Sequence, residues 1–172
     1  MHTADNHDRV HELPDVPLPS SGAPNPIVLA DEDTLVITYL TATPSIGRGA
    51  GSGVPPEDDV ATIVVFRQCY ASHFGPPNDE TFASHPLADR GLLPYGAFEV
   101  QSSSWLRDLE VRNRGHARHD PQLFQQLRHW VWTFRDSVLE CAALTYTVVE
   151  AQRLPDDLMA QMHAQLRSST PS

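Results

Sequence analysis

The sequence has no lysine; its 12 basic residues of the lysine/arginine type are all arginine. Without lysine, the chain cannot form a Schiff base through its own side chain, and it cannot anchor pyridoxal phosphate. It also lacks the lysine with which P-loops and protein kinases hold nucleotide phosphates. Cofactor chemistry carried by a lysine of this chain is therefore excluded.

Long apolar runs are also missing. No stretch approaches the roughly 20 apolar residues that span a bilayer. Residues 1–16 are polar and acidic, without the apolar segment of a signal peptide. These features predict a cytoplasmic protein that does not enter a membrane.

Positive charge is scarce, and the net charge is -10. Nucleic acids and anionic membrane surfaces attract basic proteins, so both are predicted not to be partners. A small molecule, a basic protein and a second copy of the chain remain as candidate partners.

Only two cysteines occur, Cys69 and Cys141, which is too few for a disulfide framework. Cys69 precedes His73 by four residues, and a Cys–His pair can act as a nucleophile when the thiolate touches the imidazole. A cysteine in an apolar strand is more often a small core residue. Both interpretations remain open.

The most apolar part of the sequence is 128–149. Between 129 and 134, aromatic and β-branched residues alternate with a period of two, which predicts a strand with one buried face. The polar residues 135–137 predict a tight turn, and 138–149 is predicted to return as a second strand.

The rest of the chain predicts one α+β domain, formed by a mainly antiparallel β-sheet or sandwich with two short helices. A proline-rich arm at 1–26 is predicted to be disordered. The domain occupies 27–168, and 169–172 is a frayed tail. Further strands are predicted at 27–29, 34–41, 60–71 and 97–101, and helices at 103–113 and 155–167.

Glycines alternate in the segment 44–59, at Gly47, Gly49, Gly51 and Gly53. This spacing does not give the G-x-G-x-x-G pattern of a dinucleotide site, and no helical pattern follows it. The segment is therefore predicted to be a flexible linker or lid.

The segment 72–94 is rich in proline and glycine but keeps several apolar residues, which predicts an ordered loop packed on the sheet. Long ordered loops are often functional. The candidate catalytic residues are the polar groups of this loop: His73, Asp79, Glu80 and His85.

Two chemistries suit this set. A histidine beside a carboxylate can transfer protons near neutral pH. His73, Glu80 and His85 also offer the ligand types of a divalent metal site, although no motif with fixed metal-ligand spacing occurs. Turn capping and backbone hydrogen bonds offer a purely structural explanation.

Side chains outside the loop are predicted to line the same ligand site. Core packing between helix and sheet would explain the aromatic residues of this set equally well. The predicted lining residues are Trp105, Trp130, Arg67 and Tyr70.

Several strings resemble a group of small bacterial proteins of unassigned function, over roughly 60–145. They are HFGPPNDE at 73–80, HPL at 85–87, SW at 104–105, RHW at 128–130 and TFRDS at 133–137, followed by Glu140-Cys141. The resemblance implies no activity, so the predicted site residues follow only from the chemistry of their side chains.

The leading functional hypothesis is a small-molecule site, catalytic by acid–base or metal-assisted chemistry, in the cleft between the 72–94 loop and the sheet. One alternative is an acidic protein-interaction or regulatory module without catalysis. Another is an assembly protein that forms homodimers through a sheet edge or the C-terminal helix.

Overall fold

The structure is a computed structural model, and it describes residues 3–41, 61–150 and 158–168. Two antiparallel sheets pack face to face, and helices cover their outer sides, which confirms the predicted α+β class. The strands are β1 Arg9–Glu12, β2 Ile27–Ala30, β3 Thr34–Leu40, β4 Ala61–Arg67, β5 Ala71–Gly75, β6 Ala97–Gln101, β7 Arg128–Thr133, β8 Val138–Ala143 and β9 Thr145–Glu150. The helices are α1 Ser104–Asn113, α2 Pro121–Gln126 and α3 Leu158–Arg167.

The two sheets divide the sequence unevenly. One sheet has five strands in the order β1-β6-β7-β8-β5, and the other has four in the order β2-β3-β4-β9. The predicted hairpin at 27–41 forms β2 and β3, and the apolar run after residue 60 forms the interior strand β4. The helix predicted at 103–113 is α1, which begins after the capping residue Ser103.

The main core lies between the sheets. Trp132, Phe134 and Leu139 of the five-stranded sheet pack there with Tyr39 and Phe66 of the other sheet. Edge-on contact between the rings of Phe66 and Trp132, with centroids 4.9 Å apart, is the favoured aromatic geometry. The aromatic alternation in 129–134 therefore does place its large rings in the core.

The prediction that β7 has only one buried face is wrong. Val131 on the other face is also buried, in a second cluster with Phe82, Leu87 and Phe98. The second face carries His129, Val131 and Thr133, which are less apolar than the rings on the core face but are fully buried as well. Here the cover comes from α1 and from the segment after β5.

The single strand predicted at 138–149 is in fact two strands, β8 and β9, which belong to different sheets. The chain changes sheets at Leu144, whose N–H donates to Arg67 O at 3.1 Å. The same corner carries the passage from β4 to β5 through Gln68, which has a left-handed φ of 49°. Tyr70 N–H donates to Ala142 O at 2.8 Å, so the two crossings are hydrogen-bonded to each other.

The prediction of a disordered arm at 1–26 is also wrong for the described part of that range. β1 pairs with β6, from Arg9 opposite Gln101 to Glu12 opposite Phe98. Backbone hydrogen bonds to an existing sheet edge order this segment, although three of its four side chains are polar. Val16, further along the arm, is buried in the main core.

The loop predicted at 72–94 contains regular structure. Its first residues form β5, which pairs with β8, and 3₁₀ turns follow at Phe82–Ser84 and Ala88–Arg90. Phe82 and Leu87 pack on the sheet as predicted, whereas Phe74 is exposed.

The predicted flexible segment 44–59, the tail 169–172 and the start of the helix predicted at 155–167 lie outside the described residues. The rest of that helix is α3, whose Met162 packs on the outer face of the four-stranded sheet. None of the helices in the described ranges is long and apolar enough to cross a bilayer.

Candidate functional site

A buried carboxylate lies in the outer face of the five-stranded sheet. Glu140 is 2 % exposed and sits in the middle of β8, a strand whose six residues are all buried. In the β7–β8 ladder Glu140 is opposite Val131, and His129 is opposite Ala142. Diagonal neighbours on one face of an antiparallel pair are within reach of long side chains, so the register brings Glu140 and His129 together.

His129 links Glu140 to the start of α1. Its Nε2 lies 2.9 Å from Glu140 Oε2, and its Nδ1 lies 2.9 Å from Ser103 Oγ. The Ser103 oxygen also accepts a hydrogen bond from Leu106 N–H at 3.2 Å, as the capping residue of α1. His129 is fully buried, so each of its ring nitrogens is paired with a protein group.

The network fixes the imidazole proton. Because Leu106 N–H already donates to Ser103 Oγ, the Ser103 hydroxyl can donate to His129 Nδ1. In this arrangement Nε2 carries the ring proton and donates to Glu140 Oε2. This tautomer follows from the hydrogen-bond partners, and it leaves every group in the row with a matching donor or acceptor.

A second imidazole approaches the same carboxylate from the segment after β5. His85 Nδ1 accepts a hydrogen bond from Leu87 N–H at 3.2 Å, so its proton is on Nε2. That nitrogen lies 3.5 Å from Glu140 Oε1, which is within ion-pair range. It makes no hydrogen bond with the described residues. His85 is therefore aimed at Glu140 at slightly more than hydrogen-bond distance.

A groove of about 220 Å³ opens beside Glu140. His73 on β5 lies directly opposite Glu140 in the β5–β8 ladder, and both residues line the groove. Trp105 forms one wall, and its ring meets the His129 ring edge-on with centroids 4.7 Å apart. The groove thus presents a carboxylate, an imidazole and an aromatic surface.

An ion pair on α1 stands on the other side of this groove. Arg112 contacts Asp108 with 2.5 Å between nitrogen and oxygen, one helical turn apart, and both residues line the groove. The pair is solvent-exposed, and exposed pairs contribute at most about 1 kcal/mol to stability. Its charges are therefore accessible to a bound molecule.

A larger cavity of about 750 Å³ lies on the other side of His129, between α1, α2 and the ends of β6 and β7. Ser103 lines it, together with the apolar side chains of Leu106, Phe124 and Leu127. The hydrogen-bonded row of Ser103, His129 and Glu140 therefore connects the larger cavity with the groove beside Glu140.

The structure brings together some of the predicted site residues. His73, His85 and Trp105 all lie at or beside Glu140. Asp79 is placed differently: it accepts a short hydrogen bond from Tyr95 Oη, and this bond is the main cause of a raised pKa at Tyr95.

Glu80 is exposed, and nothing in the described residues joins it or Asp79 to either histidine. The predicted metal set of His73, Glu80 and His85 does not come together. Within the described ranges, no three His, Cys, Asp or Glu side chains form a group that could hold a metal ion. His73 and His85 both lie beside Glu140, whereas Glu80 is exposed and stays apart from them.

Three of the predicted lining residues have structural partners. Arg67 Nη1 donates to Gln165 O at 3.1 Å, at the C-terminal end of α3. Trp130 is buried in the main core, where its indole N–H donates to Ala143 O. Tyr70 is exposed, and its hydroxyl accepts a hydrogen bond from the Asn113 side chain.

The cysteine pair differs from the Cys–His arrangement considered above. The Cys141 thiol donates a hydrogen bond to Cys69, which lowers the pKa of Cys69. Burial, reinforced by that bond, raises the pKa of Cys141 well above its usual value. The lowered pKa of Cys69 thus comes mainly from a second thiol and not from His73.

The predicted site residues do not include His129 or Ser103, and Glu140 is predicted only as a further strand carboxylate that could join the acid–base pair from the sheet face. The sequence signal for Glu140 is a lone carboxylate in an apolar strand, and the observed register places it on the same face as His129. No comparable signal pointed to Ser103, because serine before a helix is the ordinary pattern of a cap.

No protein-family model matches the sequence, and neither a curated protein nor a solved structure shows significant similarity to it.

Proposed function

We propose that the protein binds a small polar molecule in the groove beside α1 and transfers a proton to or from it through Glu140. The observation that carries this proposal is the position of Glu140, which lines an open groove although it is almost completely buried. A carboxylate at the bottom of an accessible groove can meet a bound molecule with little competition from water.

The surroundings of Glu140 suit a general base. Its Oε2 accepts a hydrogen bond from His129, and its Oε1 faces His85 Nε2 at 3.5 Å. The hydrogen bond from the His129 imidazole holds the carboxylate in position. The orientation of the base is therefore fixed before any ligand binds, which lowers the entropic cost of proton transfer.

His73 supplies the second polar contact. It lies on β5 opposite Glu140, is half-buried and lines the same groove. An imidazole beside a carboxylate gives one group that accepts a proton and one that can donate it near neutral pH. His73 and Glu140 are the proposed acid–base pair, and His85 and His129 are positioning residues.

The size of the groove limits the ligand. Its volume of about 220 Å³ is below the roughly 300–1,000 Å³ of pockets for drug-sized molecules. Trp105 offers a flat apolar wall, and the Asp108–Arg112 pair offers one charge of each sign. These features favour a compact metabolite with polar groups at one end.

Ligand screening with matched variants tests the proposal. Compounds from a metabolite library that raise the melting temperature of the wild type should lose this effect in His73→Ala and Glu140→Gln. Glu80→Gln is the control, because it removes an exposed carboxylate of the same chain segment. Ligands that still bind His73→Ala, or that are lost in Glu80→Gln, would contradict the proposed site.

A second candidate is self-association through β5, since this strand forms one edge of the five-stranded sheet. Edge strands present unpaired backbone groups that can pair with another chain, and Phe74 on β5 is 43 % exposed. Light scattering should then give the mass of a dimer, and Phe74→Glu should reduce it to that of a monomer. A monomeric wild type at high concentration would rule out this candidate.

A further inference from the structure

We propose that Ser103, His129 and Glu140 form a catalytic triad in which Ser103 is the nucleophile and the substrate is an uncharged ester bound in the larger cavity. The two hydrogen-bond distances along the row are both 2.9 Å. Nucleophile, base and carboxylate are thus in contact in the order that acyl transfer requires. Such triads recur on unrelated folds and are identified by geometry and roles.

The imidazole nitrogens exchange roles relative to the familiar serine hydrolases. There, serine contacts Nε2 and the carboxylate contacts Nδ1; here serine contacts Nδ1 and Glu140 contacts Nε2. Either ring nitrogen of a neutral imidazole can be the acceptor, provided that the other carries the proton. Glu140 fixes the tautomer in which Nδ1 is free to take the serine proton.

The start of α1 activates the Ser103 oxygen. Leu106 N–H donates to Ser103 Oγ at 3.2 Å, and the N-terminal end of a helix carries a partial positive charge. Both effects favour negative charge on this oxygen as its proton leaves. The bond that caps the helix therefore also stabilises the developing alkoxide.

The chemical step balances without a cofactor. Ser103 Oγ attacks the ester carbonyl carbon, and its proton passes to His129 Nδ1. The resulting imidazolium is stabilised by the Glu140 carboxylate. His129 then gives that proton to the departing alkoxide, which leaves as the alcohol, and the acyl group stays on Ser103. Water, activated by His129, attacks the acyl-serine, releases the carboxylic acid and restores the serine hydroxyl.

The cavity lining points to the substrate class. Arg107 is paired with Asp5, and Arg128 with Glu99, so each cation at the cavity already has a carboxylate partner. Leu106, Phe124 and Leu127 supply apolar surface. An uncharged ester with a small apolar acyl group fits this combination, and the low exposure of Ser103 favours the smallest acyl groups.

This inference uses a different cavity from the proposed acid–base site, although both depend on Glu140. Of the two cavities, His73 lines only the smaller groove and Ser103 lines only the larger cavity. Loss of ligand binding in His73→Ala tests the groove, and loss of ester hydrolysis in Ser103→Gly tests the triad, so the two proposals can fail separately.

Covalent labelling of the full-length protein is the direct test. A fluorophosphonate should add once per chain, and peptide mapping should place the adduct on Ser103. Ser102 is the internal control, because it lines the same cavity, is exposed and precedes the nucleophile directly. An adduct on Ser102, or no adduct, would overturn the assignment without any question of misfolding.

Hydrolysis of p-nitrophenyl acetate gives the second readout. Ser103→Gly should lower the rate roughly 1,000-fold or more, while retaining most of the capping stability that glycine gives at this helix position. His129→Gln should lower both labelling and hydrolysis, whereas Glu80→Gln, at an exposed position outside both cavities, should match the wild type. Equal rates in the wild type and Ser103→Gly would exclude Ser103 as the nucleophile.

Discussion

Glu140 accepts a hydrogen bond from His129 across the β7–β8 hairpin, with 2.9 Å between Oε2 and Nε2. Both side chains are on the outer face of the sheet, where α1 and the segment around His85 exclude water from them. The pair is consequently part of the folded core as well as of the candidate site. Stability and chemistry can be separated experimentally by choosing substitutions that affect them differently.

Replacing Glu140 tests its structural contribution. Glu140→Ala leaves the N–H groups of His129 and His85 facing a small apolar side chain, and we expect a loss of roughly 2–4 kcal/mol in the free energy of unfolding. Glu140→Gln keeps one acceptor oxygen and should lose less. Urea unfolding at neutral pH measures both, with exposed Glu80→Ala as a control that should change stability by less than about 0.5 kcal/mol. A Glu140→Ala variant as stable as that control would show that the buried network adds nothing to folding.

The N-terminal arm makes a second contribution that can be measured. Asp8 accepts hydrogen bonds from Ser104 N–H at 2.6 Å and from Ser104 Oγ at 2.8 Å. Removing them with Asp8→Ala should cost about 1–2 kcal/mol, as for other carboxylates at the start of a helix. Glu12→Ala, at the exposed end of β1, is the matched control. If the two variants have the same urea midpoint, the contact between arm and helix is energetically neutral.

The thiol pair predicts ordered reactivity. Because the pKa of Cys69 is lowered and that of Cys141 is raised, iodoacetamide should modify Cys69 first and leave Cys141 intact in the folded protein. Cys141→Ala removes the donor to Cys69, so alkylation of Cys69 should shift to higher pH. Cys141→Ser retains a donor and should shift less. Mass spectrometry across a pH series gives the result, and modification of Cys141 before Cys69 would contradict the structure.

Acid pH should weaken the arm through Asp5. The backbone N–H of His7 and the Arg107 guanidinium hold the pKa of Asp5 at about 2, below its usual value of 3.8. A carboxyl with a lower pKa in the folded state stabilises that state above pH 3.8, and the contribution disappears as the pH falls towards 2. Carbon-13 NMR of the Asp5 carboxyl should show this midpoint, and Arg107→Gln should raise it. A midpoint near 3.8 in the unmodified protein would mean that the contact is not formed in solution.

The sequence predicts more of the hairpin than of the site. The predicted turn at 135–137 would pair residue 134 with residue 138 and place Glu140 opposite Trp132, on the core face. In the structure Thr133 pairs with Val138, and this shift of one residue places Glu140 on the face of His129. The burial of that face depends on α1 and on the 3₁₀ turns, which approach from distant parts of the sequence.

The rest of the site and fold was not predictable from the sequence, as three examples show: Ser103, His85 and β1. Ser103 and His85 reach the hairpin only through tertiary packing, which leaves no local pattern. The four residues of β1 have no apolar alternation, and they are ordered by backbone hydrogen bonds to β6. The composition of residues 1–26 therefore indicates disorder, whereas pairing of β1 with the edge of the sheet makes this segment ordered.

The corner at Arg67 and Leu144 has a consequence for how changes spread through the molecule. Two chain crossings pass from sheet to sheet there, and they are hydrogen-bonded to each other. β8 and β9 are thus covalent neighbours, so a backbone shift in the four-stranded sheet is transmitted directly to the strand that carries Glu140. We therefore expect substitutions in β4 or β9 to affect the position of Glu140 from the far side of the core.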